Sequence, residues 1–327
     1  MRIVITGGAG FLGRKLADAI VERGYMTGPN GQAEQVRELV LVDTYEFEPR
    51  TAEGVQVTSV AADICDPDAM ARLITPGTAS VYHLAAVVSG QAEADFDLGM
   101  RVNLDGTRNL LEICRALPGT PKFISTSSVA SFGGDLPDVV PDNFAQRPSN
   151  SYGAQKAISE ILINDFSRKG FVEGCILRLP TIIVRPGKPN AAASSFVSSI
   201  LREPLQGAHA TCPVDAHLPI WVMSPRKVIE CLILAHELGG ERISSNRSIT
   251  LPGITVTPGE MIAALERTGG EEAAGRVEWK FDQVISDIVG GWPGAFEATR
   301  AKALGFEADH TIDEIIQAFI EDDLEQP

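Results

Sequence analysis

At 327 residues, with 44% apolar and 22% charged side chains, the chain is long enough for one large core or for a core with a smaller second lobe; disordered and fibrous classes are excluded. Its 43 acidic against 28 basic residues leave a formal charge of −15, which repels phosphate backbones and anionic lipid, so neither nucleic acid nor membrane is the expected partner. An anionic small molecule would need a local cluster of Arg or Lys to overcome that field.

Cys65, Cys114, Cys175, Cys212 and Cys231 are odd in number and form no C-x-x-C pair, so free thiols in a reducing cytoplasm are expected rather than disulfides or a zinc site. His83, His209, His217, His236 and His310 are scattered without ligand spacing, and no metal is expected. The opening Met-Arg-Ile-Val-Ile-Thr-Gly reads as a strand entering a glycine turn rather than a signal peptide, and no window approaches a membrane-spanning apolar run.

In chain order, apolar runs at 3–6, 38–42, 55–60, 80–84, 122–125 and 174–178 read as buried strands, separated by segments of helical period such as 13–23 and 102–116. Such alternation predicts βαβ units and a doubly wound α/β fold with a parallel sheet. After about residue 186, Pro- and Gly-bounded short segments predict a smaller, interleaved lobe. The expected division is a dinucleotide domain over 1–186, with 220–240 packing back onto it, and a substrate lobe over 187–219 and 241–327. Residues 225–238, 258–268 and 312–320 read as helices of the second half.

The first strand runs into Gly7-Gly8-Ala9-Gly10-Phe11-Leu12-Gly13 and then a helix, the context in which three glycines mark a pyrophosphate turn. Helix N–H groups there face the anion. Strand 38–42 ends in Asp43, placed to accept from both ribose hydroxyls and to repel a 2′-phosphate, which favours NAD over NADP. Asp63-Ile64 follows a strand and reaches toward adenine, while Leu84-Ala85-Ala86 offers small residues against which a cofactor lies. His83 reads first as a core histidine.

Tyr152 and Lys156 are four apart, on one face of a helix. A phenol is a poor base at neutral pH, and an ammonium beside it, with a positive nicotinamide ring, is expected to lower its pKa. Strand 122–125 continues into Thr126-Ser127-Ser128, hydroxyls suited to hold the substrate oxygen, Ser128 first and Ser127 or Thr126 next. Asn103 either bonds backbone near the site or caps or kinks a helix.

Together these residues resemble the extended short-chain dehydrogenase/reductase family, which includes NAD-dependent epimerases and dehydratases. The resemblance covers roughly residues 1–186 and implies substrate held between two lobes, with catalytic Ser128, Tyr152 and Lys156. NAD would be held by Gly7, Gly10, Phe11, Leu12, Gly13, Asp43, Asp63, Ile64, Leu84, Ala85, Ala86, Asn103, Tyr152, Lys156 and Pro180. It further implies a homodimer formed through helices at 102–116 and 152–169.

A narrower resemblance over 145–238, carried by Leu177-Arg178-Leu179-Pro180-Thr181, the stretch from Val184 to Phe196, and Trp221 to Arg226, is to the branch that oxidises the four-carbon sugar acid D-erythronate at C2. An epimerase or dehydratase with tightly held NAD is the alternative. Ser89, Ser127, Ser128, Tyr152, Arg185, Asn190 and Arg226 are the expected substrate contacts. Arg185 and Arg226 are candidates for the substrate carboxylate, or else for ordinary salt bridges, and Arg178 reads as structural. Residues 191–195 form either a narrow wall or the start of a tightly packed helix.

Overall fold

The computed structural model describes residues 1–50, 53–187 and 192–324. Strands β1 (Arg2–Thr6), β2 (Glu38–Asp43), β3 (Gln56–Ala61), β4 (Thr78–His83), β5 (Lys122–Ser128), β6 (Glu173–Leu179) and β7 (Ser248–Thr250) form one sheet in the order β7-β6-β5-β4-β1-β2-β3. Every pair in it is parallel. Strand order reverses at β1, between β4 and β2, and opens a crevice at the carboxyl ends of those strands.

The helices used below are α1 (Phe11–Arg23), α2 (Thr107–Arg115), α3 (Ser151–Arg168), α4 (Ser195–Leu205), α5 (Pro225–Glu237), α6 (Pro258–Ala274) and α7 (Ile312–Asp322). Alternation within the strands sorts the core into two layers. Ile3, Ile5, Leu39 and Leu41 pack on Leu16 and Ile20 of α1 and Leu232 of α5, whereas Val4, Val40 and Val81 face Leu110 and Leu111 of α2 and Ile163 of α3. Each such fully buried side chain contributes about 1.5–3 kcal/mol relative to exposure.

A further apolar cluster joins Ile183 and Val184 to Phe196 and Ile200 of α4, Met261 and Leu265 of α6, and Ile315 and Phe319 of α7. It is linked to the sheet by a three-stranded patch in which Ile220–Met223 pairs with Thr181–Ile182 and Ile254–Val256. The segment 241–327 does not stay together. β7 completes the main sheet beside β6, and Ala298, Ala301 and Phe306 pack in the main core.

The helix expected at 102–116 begins earlier and is not uniform: Met100–Gly106 is π-helical before α2 continues it. The helix expected at 258–268 extends to Ala274 across a break at Gly270, whose φ is +78°. Among the described residues no helix is long and apolar enough to cross a membrane.

Candidate active site

The turn after β1 is held in a shape that excludes side chains. Gly7 has φ +72°, and a Cβ there would lie 2.7 Å from the Ala85 nitrogen. The strand end of β4 thereby packs directly on the glycine turn, and Leu84 N donates to Thr6 O at 3.1 Å. Gly10 caps α1 with no side chain of its own, so the amides of Phe11, Leu12 and Gly13 open the helix toward the crevice.

Asp43 closes the other side of the turn. Its Oδ2 accepts from Ala9 N at 2.9 Å and its Oδ1 from Thr44 N at 2.8 Å. Asp63 pairs with Arg101 at 2.7 Å. Partial burial opposes its ionisation, but the Cys65 amide and the Arg101 guanidinium outweigh this and hold the carboxyl below its usual range. A cavity of about 470 Å³ runs past Gly7, Gly10, Asp43, Asp63, Ile64 and Ala85. Arg101, which the sequence did not single out, lines it as well.

This cavity meets a second one of about 200 Å³, since Leu84 and Ala86 line both. Ser128, Tyr152, Lys156, Pro180 and Arg185 converge on the second cavity, with Phe11 and Leu12 at its floor. Asn150 caps α3 by accepting from Gly153 N at 2.7 Å. The space where Gly153 would carry a Cβ is filled by the Ala130 carbonyl, so the first turn of α3 lies against the chain just after Ser128. That contact is what places Tyr152 and Ser128 at one cavity.

Lys156 Nζ donates to the Thr126 carbonyl at 2.9 Å and lies 5.7 Å from the centre of the Tyr152 ring. Burial pushes the ammonium down to about 8 while Glu160 opposes the shift. Burial by itself pushes the Tyr152 phenol up to about 12, in the direction opposite to the effect expected of the ammonium and the nicotinamide ring together. A positive nicotinamide ring beside the phenol would act against that burial, as the neighbouring ammonium does.

Several other expectations change. Asn103 lines neither cavity. Its amide oxygen accepts from Val87 N at 2.8 Å and its amide nitrogen donates to Val87 O at 3.0 Å and Gln155 Oε1 at 2.8 Å, tying the 84–88 loop to α3. Gly13 lines neither cavity but lets the helix start pack on the glycine turn, as its place in the motif predicts: a Cβ there would overlap the Gly7 carbonyl oxygen. Arg226 is also away from the site: it pairs with Glu321 at 2.8 Å and Asp322 at 2.7 Å, because the acidic end of α7 reaches the start of α5. Ser127 borders the cavity but its hydroxyl is turned onto Glu160. Asn190 lies outside the described residues.

Ser89 lines the catalytic cavity and its hydroxyl accepts from Ala193 N at 3.3 Å. Ala192 and Ser194 form wall, and Ser195 opens α4, so the 191–195 stretch serves both roles, with Ala191 outside the described residues. Thr181 and Trp292 were missed by sequence reading; they reach the cavity from a two-residue strand and from a loop more than a hundred positions beyond Tyr152. His83 is a core residue, with Nδ1 bonded to the Thr6 hydroxyl at 2.8 Å and Nε2 to that of Thr107 at 2.9 Å. Arg178 is structural as expected, paired with Glu160 at 2.7 Å.

Arg185 is the unusual cation. Burial, with the nearby Arg202, pushes its guanidinium down to about 10, and no carboxylate among the described residues forms an ion pair with it. A half-buried guanidinium that faces a cavity with no carboxylate partner is suited to an incoming carboxylate.

Residues 3–218 match the NAD dependent epimerase/dehydratase family. The chain belongs to that family. Two D-erythronate dehydrogenases are similar along essentially the whole length: that of Cupriavidus necator is 52% identical, covering 98% of each chain, and that of Haemophilus influenzae is 43% identical, covering 99% of this chain and all of the relative. Among solved structures, a nucleoside-diphosphate-sugar epimerase from Agrobacterium tumefaciens superposes with TM-score 0.93 at 42% identity, covering 98% of this chain and 94% of the other. The L-threonine dehydrogenase of Clostridium difficile has the same fold, with TM-score 0.83 at 20% identity, covering 98% of this chain and 96% of the other.

The glycine turn, the bare N-terminus of α1 and the joined cavities fit the dinucleotide that the family name implies.

Proposed function

We propose that the chain is an NAD-dependent dehydrogenase that oxidises D-erythronate at its C2 hydroxyl to 2-dehydro-D-erythronate. The observation that carries this reading is Arg185, a half-buried guanidinium in the same cavity as Ser128, Tyr152 and Lys156. The 52% identity to the Cupriavidus necator D-erythronate dehydrogenase over 98% of both chains supports the same substrate.

Gly7, Gly10 and the opening amides of α1 take the pyrophosphate, Asp43 the adenosine ribose, Asp63 the adenine amine and Lys156 the nicotinamide ribose. Arg185 fixes the substrate carboxylate, which orients C2 in the cavity. Ser128 donates to the C2 oxygen and holds it as its carbonyl character grows. Tyr152, as phenolate, removes the hydroxyl proton, and Lys156 stabilises that phenolate by charge. NAD, held by Gly7, Gly10, Asp43, Asp63 and Lys156, would supply the acceptor for the C2 hydrogen with its electron pair and a positive ring charge beside the phenol.

The reaction balances as alcohol and NAD giving ketone, reduced NAD and one proton. A nucleotide-sugar epimerase is the reading favoured by the likeness to the Agrobacterium tumefaciens nucleoside-diphosphate-sugar epimerase. Arg185, which faces the catalytic cavity without a carboxylate partner among the described residues, supports the small acid instead. Reduced nicotinamide formed from D-erythronate, and lost in Tyr152→Phe, is the expected result. Interconversion of UDP-sugars without added NAD, and no reduction with any sugar acid, would overturn it.

We also infer a cytoplasmic homodimer with a substrate lobe built around α4, α6 and α7. Four of the five free thiols are buried, which suits a reducing compartment. Ile158 and Ile161 stand 43% and 69% exposed on α3, an apolar face available to a second copy. Sedimentation of Ile161→Glu tests the pairing: the variant is expected as monomer, the native chain as dimer.

A further inference from the structure

Behind the catalytic cavity, three buried or half-buried polar side chains close on one carboxylate. Glu160 is 2% exposed and Arg178 7%. Arg178 on β6 donates to Glu160 Oε2 through Nε at 3.0 Å and through a terminal nitrogen at 2.7 Å. Gln146 Nε2 donates to Oε1 at 3.0 Å and to the Ser131 hydroxyl at 2.7 Å, and the Ser127 hydroxyl donates to the same Oε1. Ser131 in turn donates to the Ser128 carbonyl at 2.8 Å.

The spacing is informative. Tyr152, Lys156 and Glu160 follow one another at four-residue intervals along one face of α3. Opposite them lie three consecutive residues of β5. The Thr126 carbonyl accepts from Lys156, the Ser127 hydroxyl bonds Glu160, and Ser128 lines the catalytic cavity. A buried ion pair is weak evidence for stability, because desolvation consumes most of its Coulomb gain and an apolar pair would hold the layers as well. What an apolar pair would not supply is a directional bond one residue away from Ser128.

We propose that Glu160 is a positioning residue for the alcohol oxidation, fixing with Arg178 the register of β5 against α3 so that Ser128 and Tyr152 meet at one oxygen, and standing one helical turn from Lys156 as the counter-charge of its ammonium. This rests on the dehydrogenase reading above. The titratable groups facing Lys156 are Tyr152 and Glu160 on its own helix and His83 from β4; Glu160 itself faces Arg178 from β6. Of these, Glu160 is the one that favours the protonated ammonium against burial.

Ser127→Ala leaves the Glu160–Arg178 pair whole and removes the bond from β5 to Glu160, and unchanged KM for the sugar acid separates this from a lost substrate contact. Its kcat is expected to fall roughly tenfold, with KM for NAD and for the sugar acid within about twofold of the native values. Glu160→Gln reads the charge. In cofactor-free protein carrying ¹³C-labelled lysine, with Lys156→Arg identifying the signal, the Lys156 midpoint is expected to move down by about one pH unit, and the alkaline limb of kcat to move with it. Glu160→Gln/Arg178→Met, which leaves no bare buried guanidinium, is expected to show a smaller downward shift and serves if the single variant does not fold.

A Lys156 midpoint unmoved in both Glu160 variants, or native kcat in Ser127→Ala, overturns the proposal. The lysine titration needs no substrate, so native protein that fails to oxidise D-erythronate defeats the functional reading alone, and the Lys156 midpoint still decides the role of Glu160.

Discussion

The Lys156 ammonium donates to the Thr126 carbonyl and lies 5.7 Å from the centre of the Tyr152 ring, close enough to favour a phenolate against the burial that opposes it. With burial holding the phenol at about 12 and the ammonium at about 8, the charge of a nicotinamide ring beside them would act on the phenol in the same direction as the ammonium. NAD is therefore expected to bind before the base forms. Stopped-flow measurement with a pH indicator should detect proton release on NAD binding at alkaline pH, absent in Tyr152→Phe. The same variant is expected to lose roughly 10²–10⁴ in kcat.

Two arginines that read alike in sequence part company in the fold. Arg185→Met should raise KM for D-erythronate by about 10- to 100-fold, the loss of charge-assisted hydrogen bonds, while leaving NAD binding unchanged. Arg226→Gln removes a half-exposed pairing with Glu321 and Asp322. Steady-state kinetics should match the native chain, and stability should fall by no more than about 1 kcal/mol. A KM effect in Arg226→Gln would reverse the assignment.

His83 contributes to stability in a defined pH window. Burial first, and the Lys156 charge second, hold its pKa at about 3 against an ordinary 6.5. Between those values the unfolded chain binds a proton that the folded chain refuses, so stability is full above 6.5 and falls as pH drops toward 3. His83→Gln removes that titration. The stability gap between native protein and variant, from urea melts, should be widest at neutral pH and narrow on acidification by up to about 1.4 kcal/mol per pH unit.

Asn103 acts through backbone. Asn103→Ala releases both polar groups of Val87 and the Gln155 side chain, and should cost about 1–3 kcal/mol in a thermal melt. KM for NAD should rise several-fold, because the freed 84–88 loop forms one wall of the cofactor cavity. Unchanged cofactor affinity would mean the loop holds its shape without the latch.

The cofactor half was legible because its signals are local: a strand, three glycines and a helix in succession, then Asp43 at the end of the next strand. Tyr152 and Lys156 were legible for the same reason. β7 was not, since three residues, Ser248–Thr250, carry no periodicity and find their place only by pairing with Ile176–Arg178. Nor could sequence separate Arg185 from Arg226, whose partners Glu321 and Asp322 stand 95 and 96 positions away. The π-helical turns at Met100–Gly106 share the apolar spacing of an ordinary helix and left no mark in the pattern.

The larger cavity is lined entirely by residues between Gly7 and Val102, whereas Arg185, Ser194 and Trp292 enter the smaller one from the second half of the chain. The two halves of the job can accordingly be altered independently. Substitutions at Arg185, Ser194 or Trp292 can re-tailor the alcohol that is accepted, trading one acid for another, without touching the lining of the larger cavity.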